Sequence, residues 1–192
     1  VTITGIAPYV FAKRDSQYGS VSDNTTLLSV SIPNTVTEIG AHAFDSCTAM
    51  STLRFAAGSS LKTVGDSAFE SCKSLVSLAI PDSVEQFGSR AFYGLEGLKN
   101  LTVSGEVDMN GWLGDEYKHP KLDTLTLTGT VVKSYFSGYW NAMPGRGDAK
   151  KIIVSPGITS IETRAFYFSN VEQVILPETL TEIGAYAFQL CG

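Results

Sequence analysis

The sequence predicts a solenoid of short stacked coils, and a regularly spaced set of phenylalanines is the main observation behind this prediction. Phe44, Phe69, Phe92, Phe166 and Phe188 each follow an alanine, and the successive gaps between them are 25, 23, 74 and 22 residues. The gap of 74 is close to three of the shorter gaps, which indicates two middle units that keep the length and lose the motif. A fixed period in the twenties is typical of repeats that cannot bury an apolar face alone and stack on their neighbours.

Each predicted unit begins with a short strand. Apolar residues alternate with other residues, as in Leu78-x-Ile80, and this period of two predicts a strand with one buried face. The second apolar residue recurs at spacings of 23, 25, 23, 24, 27 and 22 residues. Pro33, Pro81 and Pro177 are expected to end their strands, because proline cannot donate a ladder hydrogen bond.

A second strand and a turn complete the predicted coil. In five units an apolar pair three residues apart, such as Val36 and Ile39, predicts a second short strand. A glycine follows at Gly40, Gly65, Gly88 and Gly184, where we expect either a positive φ or packing too tight for a Cβ. The Ala-Phe step after it suits one helical or 3-10 turn, with the phenylalanine ring in the core. The predicted class is therefore mainly β or α+β, with a short parallel strand on the concave side of each repeat of 22–27 residues.

The repeats also predict the domain organisation. Residues 3–11 match residues 36–44, so the first unit is only a second half, and about ten extra residues lie within 12–26. The second full unit carries a two-residue insertion within 56–60. We expect a single domain over residues 1–192, with about seven full or near-full repeats after the partial first one, as a fragment of a longer chain.

Composition excludes several classes of protein. Hydrophobic residues make up 43% and charged residues 17%, which is neither a disordered nor a membrane composition. The sequence has no apolar run near the roughly 18–20 residues of a spanning helix, so no transmembrane segment is predicted. A net charge of −5 argues against nucleic acid as the partner.

The combined pattern resembles the BspA-type leucine-rich repeat. It reads Leu-x-x-Leu-x-Ile-Pro, then Val-Thr-x-Ile-Gly, then Ala-Phe-x-x-Cys, and residues 32–47 and 176–191 carry it almost completely. The resemblance implies a leucine-rich-repeat solenoid of the kind found on secreted and surface proteins of host-associated bacteria and some protists. It further implies non-enzymatic recognition at the cell surface or outside the cell, by adhesion to a protein or glycan, with host extracellular matrix as one candidate ligand. The alternative is a structural spacer or targeting module attached to an enzyme or other domain elsewhere.

The outward strand positions are the first candidate binding surface, because solenoids commonly bind through the concave face. These positions are rich in hydroxyl groups and nearly free of acids and histidines. Serine and threonine are also ordinary residues for the solvent face of a strand, and that interpretation stays open. The candidates are Ser29, Ser31, Thr52, Arg54, Ser77, Asn100, Thr102, Thr124, Thr126, Lys151 and Gln173.

The sequence offers no catalytic, metal or cofactor site. A catalytic cleft needs convergent titratable groups, and the only histidines are His42 and His119, without a nearby ligand cluster. Cys47, Cys72 and Cys191 each lie three residues after a phenylalanine, a position that Leu95 fills in another unit. Buried free thiols are expected there, with a disulfide between the first two as the alternative.

Two further candidates lie in the divergent middle units. Trp112, Tyr117, Tyr135 and Trp140 either replace the missing phenylalanines in the core or form an exposed aromatic platform for sugar or protein ligands. Arg146, Gly147 and Asp148 form the tripeptide read by integrins, within a turn-rich segment that also fits a plain connection.

Overall fold

The computed structural model describes residues 2–14, 21–106, 120–133, 149–167, 169, 171–189 and 191. Contacts divide them into two compact units: the first holds the described residues up to Leu98 together with Pro120, and the second holds those from Lys99 onward. Each unit is a stack of coils joined by parallel strands, which confirms the predicted solenoid. The extent of a single domain over 1–192 stays a prediction.

Each complete coil contributes a first strand and most contribute a second. The first strands are β4 (Ser29–Ile32), β6 (Thr52–Phe55), β8 (Ser77–Ala79), β10 (Asn100–Ser104), β11 (Leu122–Thr128), β13 (Ala149–Val154) and β15 (Gln173–Ile175). The second strands are β1 (Gly5–Ile6), β5 (Glu38–Ile39), β7 (Thr63–Val64), β9 (Gln86–Phe87), β12 (Val131–Val132), β14 (Ser160–Ile161) and β16 (Glu182–Ile183). In the first unit β4 pairs with β6, and β1, β5, β7 and β9 form a parallel sheet in that order. In the second unit the orders are β10-β11-β13-β15 and β12-β14-β16, again parallel.

The strands lie in register, so equivalent residues of successive coils form rows. Leu101, Leu125, Ile152 and Val174 form one such row in the second unit. The first three of these side chains are at most 1% exposed. The alternation that predicted one buried face per strand is therefore confirmed. The prolines also follow strand ends as predicted, directly after β4 and two residues after β8 and β15.

The extra residues predicted within 12–26 include a short antiparallel hairpin, in which β2 (Lys13–Arg14) pairs with β3 (Val21–Ser22). Asn24 then brings the chain back into the stack, and its side chain is buried. Its Nδ2 donates to the carbonyl oxygen of Phe11 at 3.0 Å, and its Oδ1 accepts from the backbone N–H groups of Thr26 and Leu27. This side chain closes the turn that the insertion would otherwise leave open.

Stacked phenylalanines run through the interior of each unit. In the first unit the ring centroids of Phe11, Phe44, Phe69 and Phe92 follow one another at 4.8, 4.9 and 4.9 Å, with interplanar angles of 4–11°. In the second unit Phe166 stacks on Phe188 at 5.2 Å. These centroid distances suit aromatic attraction, so the predicted ring positions form a column within each unit.

The predicted helical or 3-10 turn is wrong: among the described residues the segment around each phenylalanine is a series of single turns. His42 and Ser46 flank Phe44 with φ of 55° and 56°, and this left-handed pair interrupts any helix. The N–H groups of all three residues donate to carbonyl oxygens of the next coil, at 2.7–2.8 Å. The intervening N–H groups donate within the coil instead, as from Ala43 to Gly40. The segment therefore acts as a further inter-coil ladder, which offsets a left-handed cost of about 1–2 kcal/mol per residue.

Left-handed residues recur around the other phenylalanines at the same two positions. Two residues before the ring they are Tyr9, His42, Ser67, Arg90, Arg164 and Tyr186, and two residues after it they are Ser46, Ser71 and Gly94. The glycines that precede these segments allow close packing between coils. Of the two expected reasons for a glycine there, a positive φ or packing too tight for a Cβ, the second therefore applies. A Cβ on Gly65 would lie 2.6 Å from the backbone nitrogen of Ala41 in the preceding coil.

Candidate functional site

The candidate surface is the outward side of the first strands, which we call the strand face. In the second unit one row consists of Asn100, Thr124, Lys151 and Gln173, at consecutive register positions. Neighbouring parallel strands lie about 4.8 Å apart, so each row repeats its side chains at that spacing. The register thus turns residues far apart in sequence into a continuous surface.

A second row in the same unit runs parallel to the first and is less polar. It consists of Thr102, Thr126, Ile153 and Ile175. Ile175 is 40% exposed, and the other three are half-buried. The strand face of the second unit therefore presents a polar row with one amine next to a row of methyl and hydroxyl groups. Such a mixed face can hydrogen-bond a ligand and bury part of its apolar surface.

The first unit carries a shorter version of the same face. Ser29 is in register with Thr52, and Ser31 with Arg54. Ser77 occupies the equivalent position on β8, and it is exposed. The structure thus places all eleven strand-face candidates on the predicted side of their strands. Whether they bind a ligand stays a prediction.

The remaining sequence candidates lie outside the described residues. They are Trp112, Tyr117, Tyr135, Trp140, Arg146, Gly147 and Asp148. The choice between core and platform for the aromatic residues, and between recognition and plain turn for the tripeptide, therefore stays open.

Next to the phenylalanine column, the first unit carries a set of paired side chains on its left-handed residues. The ring of Tyr9 stacks on that of His42 at 4.8 Å, and His42 Nδ1 lies 2.8 Å from Asp45 Oδ2. One coil pair further on, the Arg90 guanidinium lies 4.3 Å from the Tyr93 ring centroid and pairs with Glu70 at 2.6 Å. These pairs link side chains within a coil and between coils. A structural role is therefore enough to explain why these side chains are present.

The three cysteines carry free thiols in the structure, and they cap backbone carbonyl groups. Cys72 Sγ donates to the carbonyl oxygen of Phe44 at 3.3 Å, and Cys191 Sγ to that of Phe166 at 3.3 Å. Burial, reinforced by the Asp45 carboxylate, raises the pKa of Cys47 to about 11. Burial also raises the pKa of Cys72 well above its usual range. Both thiols stay protonated at neutral pH, so they suit packing rather than nucleophilic chemistry.

Glu106 has a clearly lowered pKa. The Thr130 hydroxyl donates to its Oε1 at 2.7 Å and the Thr130 N–H at 3.1 Å, and these hydrogen bonds lower the pKa of Glu106. Its partners belong to the turn between β11 and β12 in the next coil, so it ties two coils together. Within the described ranges no group of three or more His, Cys, Asp or Glu side chains could hold a metal ion. The described residues also contain no helix long and apolar enough to cross a membrane.

A cleft in the first unit was not among the sequence candidates. It has a volume of about 430 Å³ and lies where β6 and β8 end, between the inserted loop 56–59 and the turn 81–83. Phe55, Gly58, Ala79, Asp82 and Ser83 are among the residues that line it. The sequence predicts the insertion within 56–60. It does not predict the cleft, because the cleft forms only between the insertion and the neighbouring coil.

Comparison with solved structures gave three similar chains. A leucine rich cell surface protein from Faecalibacterium prausnitzii A2-165 is 26% identical, with a TM-score of 0.47, over 98% of this chain and 41% of its own length. The pneumococcal vaccine antigen PcpA is 18% identical, with a TM-score of 0.48, over 95% of this chain and 64% of its own length. A leucine-rich repeat protein from Bacteroides ovatus is 16% identical, with a TM-score of 0.31, over 98% of this chain and 73% of its own length. The chain thus spans less than two thirds of the first two.

No curated protein gave a significant match to the sequence. The family comparison did, with six copies of the BspA type leucine rich repeat region over residues 20–137 and 141–192. Those ranges include most of the strands and turns described above and cover far more than half of the chain. The chain belongs to the BspA-type leucine-rich repeat family.

Proposed function

We propose that this chain is a non-enzymatic recognition module at the cell surface or outside the cell, and that it adheres through its strand face to a protein or glycan. Membership of the BspA-type repeat family supports this proposal, as does the net charge of −5, which disfavours nucleic acid. Host extracellular matrix is the ligand source that we consider first.

The observation that carries the proposal is the pair of rows on the second unit. Asn100, Thr124, Lys151 and Gln173 offer amide, hydroxyl and ammonium groups side by side, at the regular spacing of the strands. The adjacent row adds methyl groups from threonine and isoleucine. A surface of this kind offers many weak, repeated contacts, which suits a large ligand better than a small substrate.

The experiment is a screen of the purified chain against matrix proteins and a glycan array, followed by variants in any binding pair. Thr126→Arg places a long cation in the middle of the strand face, where Thr126 is half-buried between its row neighbours. Thr163→Arg makes the same change at an exposed residue after β14, away from that face. We expect the first variant to weaken binding at least tenfold and the second to leave it unchanged.

Two results would contradict the proposal. Equal affinity of both variants would place the binding surface elsewhere on the chain. No binding to any protein or glycan would favour the alternative, a spacer or targeting module that positions another domain.

A further inference from the structure

The cleft at the ends of β6 and β8 has features that the repeat alone does not explain. Its volume of about 430 Å³ lies within the range of roughly 300–1,000 Å³ that is usual for small-molecule sites. Small side chains form much of its wall, namely Ala56, Ala57, Gly58 and Ala79. β6 pairs with β4 and not with β8, so no ladder of hydrogen bonds closes the gap at this point.

A comparison of equivalent turns singles out one hydroxyl group. Thr35 and Thr179 occupy the second position after the strand-ending proline, and each donates its hydroxyl to a carbonyl oxygen of the preceding coil, at 2.6 and 2.9 Å. Ser83 occupies the same position in its coil. Its Oγ is buried, and it is the one buried side-chain polar atom in the described residues without a hydrogen-bond partner. This hydrogen bond from the hydroxyl group is therefore present at the equivalent position in two other coils and absent at the cleft.

The two-residue insertion explains the omission. The equivalent acceptor for Ser83 belongs to the coil that carries the extra residues within 56–60, and these displace the chain just before Leu61. The loop turns at Gly58 with φ of 66°, and a Cβ there would meet no atom within 4 Å. The insertion thus opens the cleft and leaves the hydroxyl without an acceptor, and burying such a group without a bond is unfavourable. A ligand group in the cleft would supply the missing bond after a rotation about the single χ1 of Ser83.

The chemistry of the residues that line the cleft restricts the class of ligand that it could bind. Phe55 lines one part of the cleft and offers an aromatic surface, against which the C–H face of a sugar ring can pack. Asp82, Ser59 and Ser83 add a carboxylate and two hydroxyl groups, the partners that adjacent sugar hydroxyls require. A carboxylate offers about four acceptor sites, so Asp82 can accept from a ligand in addition to its other contact. Its negative charge disfavours acidic sugars.

We propose that this cleft binds one hexose unit of an uncharged glycan. The inference rests on the proposed function, because it names a glycan as the ligand class and adds a subsite at the edge of the strand face. The cleft lies wholly within the first unit, so it is a site of that unit alone.

The test is saturation-transfer difference NMR on the chain with the methyl glycosides of glucose, galactose, mannose and N-acetylglucosamine. We expect transfer to at least one of these sugars. Ser83→Ala should weaken the affinity about tenfold, through loss of one hydrogen bond. Ala79→Trp should abolish transfer by filling the cleft, and Ala57→Trp repeats that test from the opposite wall. Thr163→Trp is the control, because Thr163 is exposed and lies neither in the cleft nor on the strand face.

Thermal melting separates the binding role from a structural one. Ser83→Ala removes no hydrogen bond from the folded state, so its Tm should not fall, whereas Thr179→Ala should lower the Tm. Failure of all four sugars to receive transfer would overturn the inference, as would equal transfer from wild type and Ala79→Trp. A protein ligand that binds the strand face while no sugar binds the cleft would overturn this inference and leave the proposed function standing.

Discussion

The stacked phenylalanines give a quantitative prediction about how the coils hold together. Phe69 is fully buried and stacks on Phe44 and on Phe92, with both centroid distances at 4.9 Å. Each aromatic pair contributes about 0.5–1.5 kcal/mol beyond the burial of its area. Phe69→Leu keeps an apolar side chain and removes both pairs, so we expect a loss of about 1–3 kcal/mol in the free energy of unfolding. Among the described residues Phe11 stacks on one ring, that of Phe44, and Phe11 is 39% exposed, so Phe11→Leu should cost less.

Double-mutant cycles in urea denaturation separate the ring contact from the loss of area. The coupling energy between Phe44→Leu and Phe69→Leu should equal one ring pair, about 0.5–1.5 kcal/mol. Phe11 and Phe69 are separated by Phe44, and their changes should add within about 0.5 kcal/mol. This contrast follows from a stack in which each coil contacts only its neighbours. Zero coupling for the adjacent pair, or equal coupling for both pairs, would refute the reasoning.

Three other predictions concern the backbone, the thiols and the pH dependence. Gly65→Ala should lower stability by about 1–3 kcal/mol, because the new Cβ would overlap the backbone of the preceding coil. Ser71→Gly should raise the Tm, because glycine adopts the left-handed conformation of residue 71 without strain. Thermal melting of both variants checks the direction of each change. Cys47 and Cys72 should not react with a thiol reagent at pH 8 in the folded protein and should react fully in urea, and rapid labelling of the native protein would contradict their burial. Glu106 has a lowered pKa in the folded state, so its contribution to folding stability is present above its ordinary pKa of about 4.5 and is lost as the pH falls through the folded value. Glu106→Gln should therefore be less stable than wild type at pH 7, and the difference in stability should shrink towards pH 3. A difference that stays constant with pH would contradict the lowered pKa of Glu106.

Local patterns predicted the strands, because burial on a strand follows sequence with a period of two. The alternation around Leu78 and Leu101 gave the buried side, and register then placed Thr102 and Thr126 on the opposite one. The candidate rows of the strand face could be read in the same way, since each position follows from its distance to a buried neighbour. Whether those rows bind depends on the ligand as well, and the sequence pattern carries no information about the ligand.

The segment around each phenylalanine shows where local reasoning fails. An alanine and a phenylalanine in sequence suit a short helical turn, and nothing in the identity of Ser67 or Arg90 indicates a positive φ. The left-handed residues are stabilised by hydrogen bonds to the next coil, such as that from His42 to Asp66, and these partners lie more than twenty residues away. The cleft beside Ser83 has the same origin, because an insertion in one coil removes the partner of a residue in the next.

The register of the strand face is the central claim, and disulfide cross-linking tests it most directly. Thr102 and Thr126 are register partners, about 4.8 Å apart, whereas Thr102 and Thr124 lie diagonally at about 8 Å, beyond disulfide reach. In a Cys191→Ser background we expect Thr102→Cys with Thr126→Cys to form an intramolecular disulfide on mild oxidation, detected by mass spectrometry. Thr102→Cys with Thr124→Cys should stay reduced. Efficient closure of the diagonal pair and not of the register pair would contradict the stacking on which the strand face depends.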